Sequence, residues 1–492
     1  MDSTVIPFGE FLPDSPDFSN PGLTVCQNAV ASGNGYSLMP GASAIGDALD
    51  ARAKGGFSAL YGSTVEDFVG TGLKLFRLTL PGGTWSDVSQ VAGSPYSGGD
   101  WVDFTQFGNE LISVNGGAVG NDVPQVWTLG TSTNFADLGG SPPNAATVAA
   151  VRDFVVVGHT YDGTDGEVPF RVRWSGFANS GSWAVNAATQ ADFQDLNSSG
   201  GPVRRVMGGE VGYVFQEKSI YQMVYEGPPT IFRFSEIAPG IGTPAPKSVV
   251  QYGGTIFFMG PDGFYALPTG GAPTPIGRDK VDRTVLGSLT VAELPDVIGV
   301  LNKEYQAITW LYDADLSAGG EFTKGVTYSI KNGKWSEFSP EASGMGIKVD
   351  YAYTSRIATA QRLDVPVFFN SADDSARAMV NVTPIAARFD TGDLQFYKDR
   401  FSTVHEARLL FNFSAMLPSG MGLKMASIDS FQLQQSPPTL GSALTQNTTT
   451  GVFMCRNHGR HHRFSASFTG ATNGLPIEVW GIEVRHSPQG RR

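Results

Sequence analysis

Short apolar strands separated by Gly-, Asn- and Asp-rich turns recur along residues 56–340. Residues 155–157 form a run of three valines, and residues 256–258 form an Ile-Phe-Phe run. Runs of this kind, bounded by turn dipeptides such as Asn332-Gly333, predict β-hairpins. Helical periodicity is confined to the short stretch 280–294, so the pattern predicts a chain that is nearly all β.

Six hairpin segments align with one another. They occupy residues 70–80, 108–129, 152–175, 210–225, 253–267 and 303–330. Their spacing of roughly 40 to 60 residues is what four short antiparallel strands and their turns require. The sequence therefore predicts a β-propeller of about six blades over residues 56–345.

The two flanking regions have a different pattern. Residues 1–55 are rich in Pro, Asp and aromatic residues and are expected to form an extended N-terminal arm. Phe8, Phe11 and Leu12 are predicted to dock this arm onto a neighbouring subunit, because buried apolar anchors are typical of such contacts.

The C-terminal region carries strands at irregular intervals. Residues 346–492 are predicted to form a second β-rich domain, a sandwich or platform at the tip of the molecule. Its last two strands flank Asn473-Gly474 and should complete one of its sheets.

The composition indicates which partners and which cellular compartment are expected. The net charge is -12 and the pI is about 5.0, which argues against gripping nucleic acid by clustered Lys and Arg but suits a passage through which DNA slides. The two cysteines lie at opposite ends, so a reducing compartment is expected. The longest apolar runs are too short to span a membrane, and the N-terminus lacks the pattern of a secretory signal, which predicts a protein made and kept in the cytoplasm.

One segment has the residue types of a metal site. Cys455, His458 and His461, followed by His462, place a thiol and three imidazoles within eight residues. A structural zinc site usually takes ligand pairs from separated turns, and strand residues alternate between faces. The favoured interpretation is therefore a basic loop that contacts a partner subunit or acts as a pH-sensitive contact, with metal binding as the alternative.

Catalytic patterns are not recognised. The repeat signatures of sialidase-type and WD-type propellers are missing, and paired carboxylates such as Asp162 with Asp165 or Asp373 with Asp374 lie in turn-like sequence. We assign no general acid or base, expect no cofactor, and predict that the protein is not an enzyme.

The order of several segments resembles a known family. These segments are VRDFVVVGHT (151–160), WSGFANSGSW (174–183), residues 201–225, residues 236–267, and the closing GRHHRFSASF (459–468) with GIEVR (481–485). In this order they resemble the tail hub or nozzle proteins of short-tailed bacteriophages, the group that includes the P22-type packaged-DNA stabilisation protein.

The resemblance implies a structural role in the virion tail. Members of the family form rings, here expected to be a hexamer, below the portal and adaptor proteins. The adaptor is then the alternative partner onto which Phe8, Phe11 and Leu12 would dock the N-terminal arm. Such a ring extends the DNA channel, retains the packaged genome until ejection, and meets tail fibre, spike or needle proteins. Assembly would take place in the host cytoplasm, and the family offers no catalytic residues to match.

Two other functions remain open from the sequence. A propeller-based tail adhesin would bind the host surface as an isolated monomer. A propeller-based glycan hydrolase would need two carboxylates that converge on one pocket and would release reducing sugars from host polysaccharide.

Overall fold

The structure is a computed structural model of the chain. It describes residues 1–17, 20–80, 83–91, 96–116, 122–314, 321–340, 348–356, 364–398, 400–412, 420–428, 439–447, 449–469 and 477–489. Asn473-Gly474 lies outside the described residues.

The first 48 residues supply five strands. They are β1 (Asp2–Pro7), β2 (Leu23–Gln27), β3 (Ala29–Ala31), β4 (Tyr36–Leu38) and β5 (Pro40–Ala48). These strands are distributed over three sheets. Strands β1, β3 and β4 lie in one sheet, β2 lies in a second and β5 lies in a third.

Residues 55–338 form consecutive groups of four antiparallel strands. The groups are β6 (Gly55–Tyr61), β7 (Thr64–Gly70), β8 (Leu75–Thr79) and β9 (Thr84–Asp87); β10 (Val102–Phe107), β11 (Glu110–Asn115), β12 (Gln125–Thr128) and β13 (Ala136–Asp137); β14 (Asn144–Val151), β15 (Phe154–Asp162), β16 (Gly166–Trp174) and β17 (Asp192–Asp195); β18 (Val203–Met207), β19 (Gly212–Gln216), β20 (Ser219–Gly227) and β21 (Ile231–Pro239); β22 (Val250–Tyr252), β23 (Thr255–Gly260), β24 (Gly263–Pro268) and β25 (Thr274–Pro275); and β26 (Ile298–Asn302), β27 (Ala307–Tyr312), β28 (Lys324–Ser329) and β29 (Lys334–Phe338). The predicted hairpins are confirmed, since each contains residues of the paired second and third strands of one group.

The remaining strands follow in the C-terminal part. They are β30 (Val349–Ser355), β31 (Val365–Asn370), β32 (Ser375–Pro384), β33 (Ala387–Thr391), β34 (Ser402–Asn412), β35 (Met421–Ile428), β36 (Val452–Gly459), β37 (His461–Phe468) and β38 (Glu478–Pro488). The described helices are short: α1 (Asp282–Leu286), inside the stretch where the sequence has helical periodicity, and 3₁₀ turns at Ser198–Gly200, Pro246–Ser248 and Leu294–Asp296. The prediction of a nearly all-β chain is confirmed.

The four-stranded sheets have a propeller-like arrangement. Strand β5 from the N-terminal segment joins β30, β31 and β32 as the fourth strand of a further sheet. First strands contact one another in the pairs β6–β10, β10–β14, β14–β18, β22–β26, β26–β30 and β30–β6. The sheets that begin with β18 and β22 share a core that contains Phe215 and Phe258. Neighbouring sheets of this region thus contact one another through their first strands or through a shared core.

Glycine allows the first strands to converge. A Cβ added at Gly55 of β6 would lie 2.0 Å from the carbonyl oxygen of Val102 in β10, and one at Gly299 of β26 would lie 2.6 Å from the Val250 side chain in β22. Both distances are below van der Waals contact, so a larger residue at either position would push neighbouring sheets apart.

The C-terminal strands build two sheets around one core. One sheet has the order β3-β4-β38-β34-β36, with β1 also paired to β38. The other, β2-β33-β37-β35, continues from β29 as part of an eight-stranded sheet. Buried side chains of both sheets, among them Phe389, Phe464, Ile482 and Val484, belong to one apolar cluster. We call this part the sandwich. The strands that flank Asn473-Gly474, β37 and β38, lie one in each of these two sheets.

The N-terminal arm is built into its own chain. Strand β1 pairs with β38 over six residues, and the ring of Phe8 stacks on Phe389 with centroids 4.9 Å apart. Phe8 is 2% exposed and Phe11 is 4% exposed, while the amide of Leu12 donates to the carbonyl of Leu23 at 3.0 Å. The rings of Phe8 and Phe11 are thus buried within their own chain. The docking role of these residues and of Leu12 stays a prediction.

The predicted ranges 1–55, 56–345 and 346–492 also stay a prediction. Strand pairing crosses both of their boundaries: β5 pairs with β32, and β2 pairs with both β29 and β33. Side chains from residues far apart in the chain therefore meet at the centre of the molecule and in the sandwich.

Candidate functional site

Two neighbouring cavities lie where the first strands converge. The inner cavity has a volume of about 460 Å³ and is lined from β6, β10, β18, β22, β26 and β30. The mouth cavity has a volume of about 330 Å³ and shares Lys247, Ile298 and Tyr351 with it. Volumes in this range suit small ligands, so the cavities are the candidate site.

A buried ion pair crosses the wall of the inner cavity. Asp103 Oδ1 lies 2.6 Å from Arg205 Nη1 in an ion pair, and Asp103 Oδ2 accepts a hydrogen bond from the hydroxyl of Thr147 at 2.8 Å. The guanidinium of Arg205 lies over the ring of Trp101 at 5.1 Å. This network ties β10, β14 and β18 together, and the partners of Asp103 help to compensate for burying its charge.

A second ion pair lies at another part of the inner cavity. Arg356 Nε is 2.6 Å from Asp364 Oδ1, and the amide of Arg356 donates to the hydroxyl of Ser58 at 3.2 Å. Lys303 Nζ lies 3.8 Å from the other oxygen of Asp364. The cavity therefore has charged groups of both signs in its walls, each held by a partner.

Asp67 joins the sheet β6–β9 to β30. Its carboxylate accepts hydrogen bonds from the hydroxyl of Tyr353 at 2.7 Å and from the hydroxyl of Ser355. Burial raises the pKa of Asp67, and the hydrogen bonds from Ser355 and Tyr353 oppose that rise. The contact joins the sheet β6–β9 to the sheet that contains β30.

The mouth cavity has a buried carboxylate in its wall. Asp350 Oδ2 lies 3.4 Å from Arg52 Nε, and Arg52 Nη2 donates to the carbonyl oxygen of Asp350 at 2.7 Å. Burial raises the pKa of Asp350 to about 6 in spite of the opposing charge of Arg52.

The candidate metal ligands are not brought together. Cys455 and His458 lie on β36 in one sheet of the sandwich, and His461 lies on β37 in the other. The imidazole of His458 stacks on Phe401 with centroids 5.1 Å apart, and burial raises the pKa of the Cys455 thiol to about 12. Within the described ranges, no group of three or more His, Cys, Asp or Glu residues is placed to bind one metal ion.

A histidine pair in the sandwich was not found from the sequence. His462 and His486 both pack against the ring of Phe396, with centroids 5.5 and 4.2 Å away. Ring nitrogens of His462 lie 2.8 Å from Ser402 Oγ and 3.1 Å from Asn457 Oδ1. Burial lowers the pKa of His486 and lowers that of His462 to about 4. The two residues are 24 positions apart on strands of different sheets, so no spacing rule points to them.

The carboxylate pairs considered for catalysis have structural partners. Asp162 Oδ1 accepts from the amides of Thr164 and Asp165, and its Oδ2 lies 3.1 Å from Arg173 Nη1. Asp373 accepts from the amide and the hydroxyl of Ser375. These contacts are those of turn residues.

Comparisons with known proteins add little about function. No protein-family model and no curated protein matches the chain. Among solved structures, the chain is similar to dihydro-heme d1 dehydrogenase NirN in complex with DHE (11% identity, TM-score 0.37, covering 66% of this chain and 60% of that one). It is also similar to the extracellular domain of the one-component system BT4673 from B. thetaiotaomicron (12% identity, TM-score 0.36, covering 79% of this chain and 46% of that one).

These likenesses are too distant to carry a function. In the part of the chain that the structure covers, no helix has the length and apolarity needed to cross a membrane.

Proposed function

We propose that this protein is a structural subunit of the tail of a short-tailed bacteriophage, a hub or nozzle ring component that continues the DNA channel below the portal and adaptor. The observation that carries the proposal is the eight-stranded sheet β26-β27-β28-β29-β2-β33-β37-β35. It makes the last strands of one propeller-like sheet continuous with the sandwich.

A continuous sheet suits a part that bears load. Backbone hydrogen bonds cross the junction, so the two regions are not joined by a flexible linker alone. Strands β1, β2 and β5 distribute the first 48 residues over three sheets, which adds further cross-links between distant parts of the chain. A rigid body of this kind is what a wall around pressurised DNA requires.

The charge fits the same role. A net charge of -12 repels phosphate groups, so genomic DNA could pass without adhering. The proposed partners are further copies of the chain in a hexameric ring, the portal and adaptor proteins above, and fibre, spike or needle proteins. The protein would assemble in the host cytoplasm and reside in the virion tail.

We further infer that the propeller has seven blades, one more than the six hairpins suggest. The additional blade would be β30-β31-β32-β5, in which β5 comes from residues 40–48. A blade made from both ends of a ring of sheets holds that ring closed, because separating the ends must break a β-ladder. On this inference, the six hairpins counted over residues 56–340 leave out one blade.

The test is immunogold electron microscopy of the source particles with an antibody raised against residues 56–340. Gold confined to the tail axis is the expected result, and cryo-EM of the tail would then give the ring order. Label on peripheral fibres, or unlabelled particles, would contradict the proposal. Binding of the isolated monomer to host cells would then favour the adhesin, and release of reducing sugars the hydrolase.

A further inference from the structure

The inner cavity extends along the first strands, away from the mouth cavity. On β30 its lining runs from Tyr351, which both cavities share, to Arg356, just past the end of the strand. Asp350 of the mouth cavity lies six residues before Arg356, roughly 20 Å in an extended strand. This separation exceeds the screening length of about 8 Å in physiological salt, so the charge of Asp350 is largely screened at the Arg356 end.

The side chain of Arg356 presents hydrogen-bond donors to the inner cavity. It is 43% exposed, and its Nε donates to Asp364 Oδ1 at 2.6 Å. Its terminal nitrogens, Nη1 and Nη2, make no hydrogen bond with the rest of the described chain, and they are accessible rather than buried. A guanidinium with both terminal nitrogens open can donate two parallel hydrogen bonds to one carboxylate.

The charges of the lining favour an anion. Three cationic side chains, those of Arg205, Lys247 and Arg356, line the cavity against two carboxylates, those of Asp103 and Asp364. The side chains of the two carboxylates are only 4% and 12% exposed. Their arginine partners are 20% and 43% exposed, so the guanidinium groups face the cavity and the carboxylates lie behind them.

Each of the two carboxylates also has other partners. Asp103 accepts from two backbone amides at 2.9 and 3.0 Å and from the hydroxyl of Thr147 at 2.8 Å. Asp364 lies 3.8 Å from the ammonium of Lys303 in addition to its arginine. The carboxylates therefore do not fully offset the cationic groups, and the surface of the cavity stays electropositive.

An aliphatic acid matches the rest of the lining. Met207 and Val250 are half-buried in the cavity wall. Met207 follows Arg205 by two residues on β18, so the two side chains lie on the same face of the strand. A phosphate ion would also bind a guanidinium, but it would leave the apolar wall in water, whereas an aliphatic chain would cover it. A volume of about 460 Å³ accommodates a chain of several carbons.

We propose that the inner cavity binds an aliphatic carboxylate, which accepts hydrogen bonds from Nη1 and Nη2 of Arg356 while its carbon chain lies along the apolar part of the lining. The carboxylate could belong to a free small acid or to a glutamate side chain of a partner protein. The proposal does not depend on the role in a phage tail, because it rests on the cavity alone.

The test uses the full chain and ligand-observed saturation-transfer NMR, with dissociation constants from titration. The probes are hexanoate and 1-hexanol, which have chains of equal length but differ in charge. We expect hexanoate to bind about tenfold more tightly than hexanol, because hydrogen bonds between charged groups are the strong ones. Arg356→Gln should weaken hexanoate binding by about the same factor, and Arg356→Lys should restore only part of it, since lysine lacks the paired donors. The control Arg233→Gln, at an exposed site on β21, should leave binding unchanged.

Equal binding of hexanoate and hexanol to the wild-type protein would overturn the proposal, as would absence of any signal or unchanged binding in Arg356→Gln. Full displacement of hexanoate by an equal concentration of inorganic phosphate would also overturn it, because the apolar lining would then contribute nothing. If circular dichroism shows that Arg356→Gln does not fold, the comparison of hexanoate with hexanol on the wild-type chain decides the matter. Tighter binding of hexanoate than of Nα-acetyl-glutamate amide would identify a free acid as the ligand, and the reverse order a glutamate side chain.

Discussion

The propeller-like sheets and the sandwich bury different kinds of titratable groups. In the sheets, burial raises the pKa of Asp67, and it raises the pKa of Asp282 and Asp350 to about 6. In the sandwich, burial lowers the pKa of His461, His462 and His486. Acids with a raised pKa and bases with a lowered pKa both favour the neutral form, but they respond to acid in opposite ways.

The direction in which stability changes with pH depends on whether the folded or the unfolded state binds more protons. A folded sandwich with neutral histidines binds fewer protons than its unfolded chain, so it loses stability as the pH falls from about 6.5 through the lowered values. The folded sheets bind more protons through Asp67, Asp282 and Asp350 than the unfolded chain does. Their contribution is complete below the unfolded pKa and is lost as the pH rises through about 6. Acid should therefore weaken the sandwich first.

The largest expected effect is the loss of stability caused by a substitution in the core of the sandwich. Phe389 is fully buried in the sandwich and carries the stack with Phe8. Phe389→Ala should cost about 3–5 kcal/mol, because it leaves a cavity in a core that both sheets share. Hydrogen–deuterium exchange by peptide should rise in β1, β33 and β37 much more than in β10–β20.

Met454→Ala is the matched control, since Met454 is 55% exposed on the same sandwich. It should change exchange very little. Equal loss of protection in β10–β20 and in the sandwich for Phe389→Ala would show that the regions unfold as one unit, and the comparison would then fail.

A second substitution should weaken the propeller-like sheets instead. Asp67→Ala removes the shared acceptor of the hydrogen bonds from two buried hydroxyls, those of Tyr353 and Ser355. The expected loss is about 2–4 kcal/mol in the free energy of unfolding, measured by denaturant titration. Asp137→Ala, at an exposed position, should stay within about 0.5 kcal/mol of the wild type. An equally small effect of Asp67→Ala would mean that the contact between β7 and β30 does not hold the sheets together.

The next expected effect is the loss of stability when His462 becomes protonated. Its folded pKa is about 4 and its ordinary value is 6.5. Its contribution is present above pH 6.5 and is lost as the pH falls towards 4, by up to about 3 kcal/mol. Thermal unfolding followed between pH 7 and 4 should show a steep loss in the wild type and a shallower one in His462→Gln. His159→Gln serves as the control because His159 lies on β15 in the propeller-like sheets. A slope that His462→Gln leaves unchanged would assign the acid sensitivity to other groups.

The sequence was informative where structure is local. The turn residues and β-branched runs that predict hairpins act over a few positions, and all six hairpin segments lie in paired strands. Pairing between the chain ends was not visible: β5 shows no feature that links it to β32, more than 300 residues later. The candidate site depends on the same long-range contacts, since Arg52 and Asp350 meet only when the ends of the chain meet. Phe8 and Phe11 were recognised as buried anchors, but a sequence cannot tell an intramolecular partner from a neighbouring subunit.

The smallest expected effect tests how β5 packs. Gly46 of β5 faces Trp85 of β9, and a Cβ at this position would lie 2.5 Å from the indole nitrogen of Trp85. Gly46→Val should therefore cost about 1–3 kcal/mol, because two sheets must shift to accept it. Gly33→Val is the control, since no heavy atom lies within 4 Å of a Cβ there. Intrinsic fluorescence during denaturant unfolding would measure both variants. Equal stability of the Gly46→Val and Gly33→Val proteins would mean that β5 does not pack against the sheet β6–β9.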